Sequence, residues 1–235
     1  ETDKLGSRPN ETEWNLTDAI TVEFWVRKTF TTDFQDATIF HKQGTFSVAL
    51  NAGGQYGYKF NFRPTIGASQ KVIEVDDKYI ANQEESVHFC ATYDGTTVKL
   101  YVNGSLVKED GSTASGNMDT TTNTFYFPKG GGSYAIQGNL WDGRLWNRVL
   151  EQSEIQTNFD NQPTATGGLV SATGLVGWWP LLGNYNDISG LGFNLTDGGD
   201  TEWGSSGFNL KQIASGSVSG AATISGGTWN LRDSS

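Results

Sequence analysis

Cysteine is almost missing from this chain. Cys90 stands alone among 235 residues, so no internal disulfide can form. A small secreted scaffold held by disulfides is thereby excluded, although a cytosolic location is not forced. Positive charge is scarce too: 16 Lys and Arg face 26 Asp and Glu, a net charge of −10. Phosphate backbones demand basic patches, so no nucleic-acid partner is expected. No apolar run approaches membrane-spanning length and no signal peptide is visible, so no membrane insertion is expected. The chain starts at Glu1 and not at Met, as expected of a processed product or of the ordered part of a longer protein. Met occurs once and good helix formers are sparse.

What is abundant is glycine (30 residues), aromatics (12%) and threonine. That mixture suits short strands joined by tight turns. The acidity has two readings: solubility, or carboxylates that hold Ca²⁺, a hard cation needing oxygen ligands. Glycosylation sequons at Asn10, Asn15, Asn103 and Asn194 are about as many as this composition yields by chance.

Period-two alternation appears first at Ile20–Val26, with Val22, Phe24 and Val26 on one face and Glu23 and Trp25 on the other. Further strands are expected at Thr38–His41, Thr45–Asn51, Tyr56–Arg63 and Lys71–Val75, with turns at Gly53-Gly54 and Pro64–Gly67. Val87–Tyr93 and Val98–Val102 flank Asp94-Gly95, a hairpin signal because Gly accepts positive φ. Asn103-Gly104 turns the chain into Ser105–Glu109, and 111–124 reads as a loop. Thr124–Phe127 and Tyr134–Trp146 are strand-like around the Gly130–Gly132 turn. One helix is expected, from Leu150 to near Phe159, with Leu150, Ile155 and Phe159 packing down. Leu175–Leu182 is the last apolar strand. The sum is an all-β, two-sheet antiparallel jelly-roll sandwich with one short helix. Residues 1–211 form a single domain on this reading, and 212–235 a Gly/Ser-rich tail.

Three segments, in order, resemble the laminin-G-like and pentraxin branch of the concanavalin A-like lectin/glucanase superfamily. They are Ile20–Arg27; His88-Phe89-Cys90-Ala91-Thr92-Tyr93 running into Asp94-Gly95 and Leu100-Tyr101-Val102-Asn103-Gly104; and Gly138-Asn139-Leu140 through Leu145-Trp146-Asn147-Arg148-Val149-Leu150 to Glu154-Ile155. Tyr93 stands where the pentraxin signature has Trp. Leu175–Leu182, followed by Asp187-Ile188-Ser189-Gly190, has three readings: terminal strand in pentraxin order, start of an incomplete second domain over 175–211, or a strand donated to a neighbouring subunit.

The pentraxin resemblance implies a two-calcium site, but Phe127–Ser133 carries no carboxylate where that acidic loop should fall, and the family's disulfide is absent too. Cys90 reads as a small buried core residue. The resemblance to glucanases implies an E-x-D-x-x-E strand. Here Glu74-Val75-Asp76-Asp77-Lys78-Tyr79 has Tyr79 in place of the second acid, so no catalytic pair is expected. His41 and His88 lack a nucleophile or a metal-spaced partner and read as structural. Asn184, Asn186 and Asp187 are a candidate Ca²⁺ site or an Asx-turn. Trp25, Trp141 and Trp203 are candidate sugar-stacking residues, pointing away from the core, whereas Trp146, Trp178 and Phe24 read as core. Two functions stay open. One is a non-catalytic lectin-like module at a cell, virion or other extracellular surface, with glycans or surface glycoproteins as partners. The other is a structural subunit of a virion, fibre or filament, with copies of itself as neighbours.

Overall fold

The computed structural model describes residues 6–28, 37–52, 58–75, 86–129, 138–161 and 172–198. Among the described residues, fourteen strands form two sheets. They are β1 (Gly6–Arg8), β2 (Ile20–Lys28), β3 (Ala37–Lys42), β4 (Phe46–Ala52), β5 (Tyr58–Ile66), β6 (Ser69–Gln70) and β7 (Ile73–Glu74). There follow β8 (Ser86–Tyr93), β9 (Val98–Val102), β10 (Ser105–Asp110), β11 (Phe125–Tyr126), β12 (Gly138–Trp146), β13 (Leu175–Trp179) and β14 (Thr196–Asp197). One helix, α1 (Gln152–Asp160), lies between β12 and β13 in the chain.

The larger sheet runs β14-β1-β11-β3-β4-β5-β6, with β7 also on β5; the smaller runs β10-β9-β8-β2-β12-β13. All pairs are antiparallel, as in a two-layer sandwich. Leu175–Trp179 pairs with β12 of its own chain. The polar strands β1 and β14 escape the sequence pattern, being three and two residues long. The strand ending at Arg63 in expectation runs on through Pro64 to Ile66, because Thr65 N–H bonds Thr45 O at 2.8 Å and carries the pairing past the proline.

Alternation places Val22, Phe24, Val26, Val48, Leu50, Phe60, Phe62, Phe89 and Leu100 between the sheets. Trp14, from a short 3-10 turn in a segment that reads as polar, is also fully buried there and donates Nε1–H to Val176 O at 3.1 Å. Below it lies Lys42, whose ammonium donates to Asn10 Oδ1, to Trp14 O and to Asn15 Oδ1. Burial pushes this lysine down to about 8, so it stays protonated at neutral pH.

β12 breaks alternation in the middle. It advances from Trp141 to Arg144 while β2 advances only from Trp25 to Glu23, a bulge of one extra residue, and Asp142 sits at φ 54°. The extra residue resets the phase, so Leu140 and Leu145 both face the inter-sheet core while Trp141, Arg144 and Trp146 share the opposite face. Within the bulge a Cβ on Gly143 would fall 2.0 Å from the Phe127 ring. Gly143→Ala is expected to destabilise the fold by about 1–3 kcal/mol through that clash, measurable as a lower urea midpoint.

Candidate functional site

The two outward faces of the sandwich are built differently, and that contrast locates the site. On the six-stranded sheet, Glu23, Trp25, His88, Cys90, Tyr101, Arg144, Trp146 and Trp178 point away from the inter-sheet core, and α1 lies over them with Ile155, Asn158 and Phe159. The helix is anchored at its start. Glu154 accepts Glu151 N–H at 2.9 Å and pairs with Arg148 at 2.6 Å, while Thr21 Oγ1 accepts Leu150 N–H at 2.9 Å.

Beneath α1 the charges are dry. Glu23 is 1% exposed and Arg144 0%. Arg144 reaches Glu23 Oε1 at 2.8 Å and Asp142 Oδ1 and Oδ2 at 2.9 and 2.7 Å. Asn158 donates to Glu23 at 3.1 Å, His88 Nε2 lies 3.4 Å from Glu23, and Trp178 Nε1–H donates to Asp142 at 2.7 Å. Burial pushes Glu23 upward, but Arg144 and His88 outweigh it and hold the carboxyl below its ordinary value. At Asp142 burial wins and the carboxyl lies above its ordinary value. This network was not legible in advance, since Glu23 read simply as the outward side of a strand. The one available signal was an acid next to Trp25 on the outward side of a strand whose other side is apolar.

Trp25 is corrected by this arrangement. It does point away from the inter-sheet core, but it is 1% exposed, stacked on Phe159 (5.6 Å, 13°) and on Trp141 (5.9 Å, 14°). Trp141 is the half-buried end of that stack. Trp203 lies outside the described residues, as do the 212–235 tail and Asp76–Tyr79 of the stretch compared with the glucanases.

Of the two readings of Asn184, Asn186 and Asp187, the hydrogen bonds are those of the Asx-turn. Asp187 Oδ1 accepts Trp178 N–H and Ser189 N–H, and Oδ2 accepts Ser189 Oγ–H and Phe193 N–H, all at 2.7–2.9 Å. Asn184 Oδ1 accepts Asn186 N–H at 2.9 Å. These are turns in which the side chains serve their own loop, and a carboxylate with four donors has little left for a cation. Among the described residues no three His, Cys, Asp or Glu side chains gather as a metal site.

Among the described residues, no helix lies across the outer face of the eight-stranded sheet. Register places Tyr126, His41, Ser47 and Arg63 in one row across β11, β3, β4 and β5, with Ala49 and Asn61 in the next row. Neighbouring strands sit roughly 4.8 Å apart, so the first row spans about 14 Å. Small Ser47 and Ala49 form a floor, and half-buried His41, Arg63, Tyr126 and Lys59 stand around it. Lys59 pairs with Glu74 at 3.2 Å.

In that floor, Asn61 is 0% exposed, yet neither Nδ2 nor Oδ1 has a partner among the described residues. Two strands away on the same face, His41 Nδ1 also lacks one. Burial and the charge of Lys129 push this imidazole down to about 4, so it is neutral at physiological pH. Single nitrogens of Trp25, Trp146 and His88 are unpartnered under α1, but Asn61 alone leaves a whole buried amide unanswered. Asn61 does not stand out in the sequence, and His41 reads there as structural.

The model of the concanavalin A-like lectin/glucanases superfamily in its laminin G form matches residues 4–156, more than half of the chain. The protein belongs to this superfamily. No curated protein matches its sequence. Among solved structures it is similar to a Bacteroides ovatus protein assigned to carbohydrate binding, at 16% identity over 86% of this chain and 54% of that one, TM-score 0.50. It is similar to the binding domain of Paraclostridial Mosquitocidal Protein 1, at 15% identity over 64% and 39%, TM-score 0.51. It is also similar to a heptameric SAP-like pentraxin of Limulus polyphemus, at 16% identity over 68% and 74%, TM-score 0.46. The chain thus spans about half of the Bacteroides protein and two fifths of the mosquitocidal one. At these identities the likeness is one of fold. Within the superfamily fold, α1 closes one sheet face and leaves the other to the row of His41 and Asn61.

Arg144→Met would leave Glu23 and Asp142 buried without a counter-charge. A loss of about 3–5 kcal/mol is expected, measured by urea unfolding at neutral pH.

Proposed function

We propose that this protein is a non-catalytic, lectin-like recognition module at an extracellular, cell or particle surface, and that it binds glycans on the outer face of its eight-stranded sheet. The module is residues 1–211 with the 212–235 tail attached. The unpartnered amide of Asn61 carries this reading. A buried amide that folding leaves without partners costs stability, and the cost is offset when a ligand supplies both a donor and an acceptor. Sugar hydroxyls supply both at once. The neutral His41 nitrogen extends the polar pattern, and the Tyr126 ring beside it offers a surface for sugar C–H groups.

The superfamily and the Bacteroides protein assigned to carbohydrate binding are in keeping with this reading. Subunit assembly is less well supported. Among the described residues the exposed large hydrophobics are Val72, Leu106, Ile188 and Leu191, too few for an assembly surface of ordinary size.

Asn61→Leu separates a binding role from a structural one. The variant is expected to melt at the same temperature as the wild type or higher, by the equivalent of about 1 kcal/mol. It is expected to lose binding on a glycan array that the wild type labels. A large drop in melting temperature, or unchanged glycan binding, would remove Asn61 from the site. A wild type that labels no glycan but runs as a stable oligomer would replace recognition with assembly.

A further inference from the structure

The segment 111–124 has neither strand nor helix, but it is not loose. Met118 N–H bonds Thr17 O at 2.7 Å, Asp119 N–H bonds Thr65 O at 2.8 Å, and Asp119 accepts the N–H groups of Gly67 and Ala68 at 3.0 and 2.6 Å. Tyr93 donates to Gly116 O at 2.5 Å, and Ala114 and Met118 are buried. Past these anchors, Thr120, Thr121, Thr122 and Asn123 join Asn15 around a solvent-open groove of about 460 Å³. Among the described residues, no ionisable side chain lines it.

Its hydrogen-bonding pattern is set from behind. The Lys42 ammonium can only donate, and it holds Asn15 Oδ1 at 3.1 Å, so the Nδ2 group of Asn15 is what remains for the groove. Gln43 O can only accept. It holds Asn123 Nδ2 at 2.9 Å and Thr121 Oγ1 at 2.9 Å, so Oδ1 of Asn123 remains. The exposed Thr120 and Thr122 hydroxyls make no hydrogen bond within the described protein. A fixed donor thus shares the groove with a fixed acceptor and two adaptable hydroxyls, on a backbone already pinned. Such prior ordering lowers the cost of binding.

We infer that this groove is a second binding site, for a neutral, hydroxyl-rich unit such as a sugar or cyclitol with adjacent hydroxyls, one accepting from Asn15 and the other donating to Asn123. The absence of ionisable lining excludes a charge-driven ligand. It is independent of the sheet-face site, and one glycan chain long enough to reach both would gain by effective concentration.

The test is a series of amide ¹H–¹⁵N spectra of the full chain, titrated separately with methyl α-mannoside, methyl β-galactoside, myo-inositol and, as a control without adjacent hydroxyls, n-butanol. At least one of the three polyols is expected to shift residues 120–123 saturably, and butanol is not. Asn15→Asp keeps an oxygen toward Lys42 and removes the groove donor; it is expected to weaken binding about tenfold with the melting temperature unchanged or raised. Thr122→Val provides a second arm, expected to weaken binding several-fold. Asn61→Leu is expected to leave these shifts intact, which distinguishes failure of the groove from failure of the sheet face. The inference is overturned if none of the polyols shifts 120–123, if butanol shifts them equally, or if both groove variants bind as the wild type does.

Discussion

A guanidinium without access to water must be met by carboxylates, and Arg144 meets two, one on its own strand and one on the next. Much of the architecture follows from that demand. Asp142 reaches the guanidinium only because the bulge in β12 inserts an extra residue and turns the backbone to positive φ. Glu23 reaches it because β2 lies directly alongside, and Asn158 of α1 then answers the remaining lone pairs of Glu23. A buried network of this kind is tolerable only when its members are satisfied together, so strand, bulge and helix are locked to one another. The same bulge lets Trp141 stack on Trp25 while Leu145 stays in the core.

One consequence is functional. With α1 docked over it, the charge network on the outer side of the six-stranded sheet is buried. On the proposed reading, recognition falls to the other sheet and to the rim. There the chemistry is reversed: polar groups are held in place but left incompletely answered. Asn61 and His41 show this on the sheet face, and Asn15 with Asn123 in the rim groove. In the groove a lysine and a carbonyl each claim one end of an amide, which decides what the other end can say to a ligand.

The strands were largely legible because period-two alternation and Asx-Gly turns are local signals. Ile20–Val26 and the hairpin around Asp94-Gly95 emerged as read, and the helix from near Leu150 to Phe159 did too. β1 and β14 were not, since two or three polar residues carry no period. The site was hardly legible at all. Trp25 shows why: alternation states correctly that it leaves the inter-sheet core but says nothing of what waits on the other side, and Phe159 waits there. Asp187 looked like a cation ligand by residue type, and only the fold of its loop shows four backbone and hydroxyl donors already on it.

By itself the sequence determined a two-sheet antiparallel sandwich of the concanavalin A-like kind, with a lone inert cysteine and a single short helix, because these rest on local periodicity, turn chemistry and residue order. Which outward face would be closed, which carboxylates would be dry and which amides would be left without partners was decided by tertiary structure alone. Burial and hydrogen-bond satisfaction depend on residues far apart in the chain, Glu23 with Arg144 and Asn158, or Lys42 with Asn15, and no local pattern records who the partner will be.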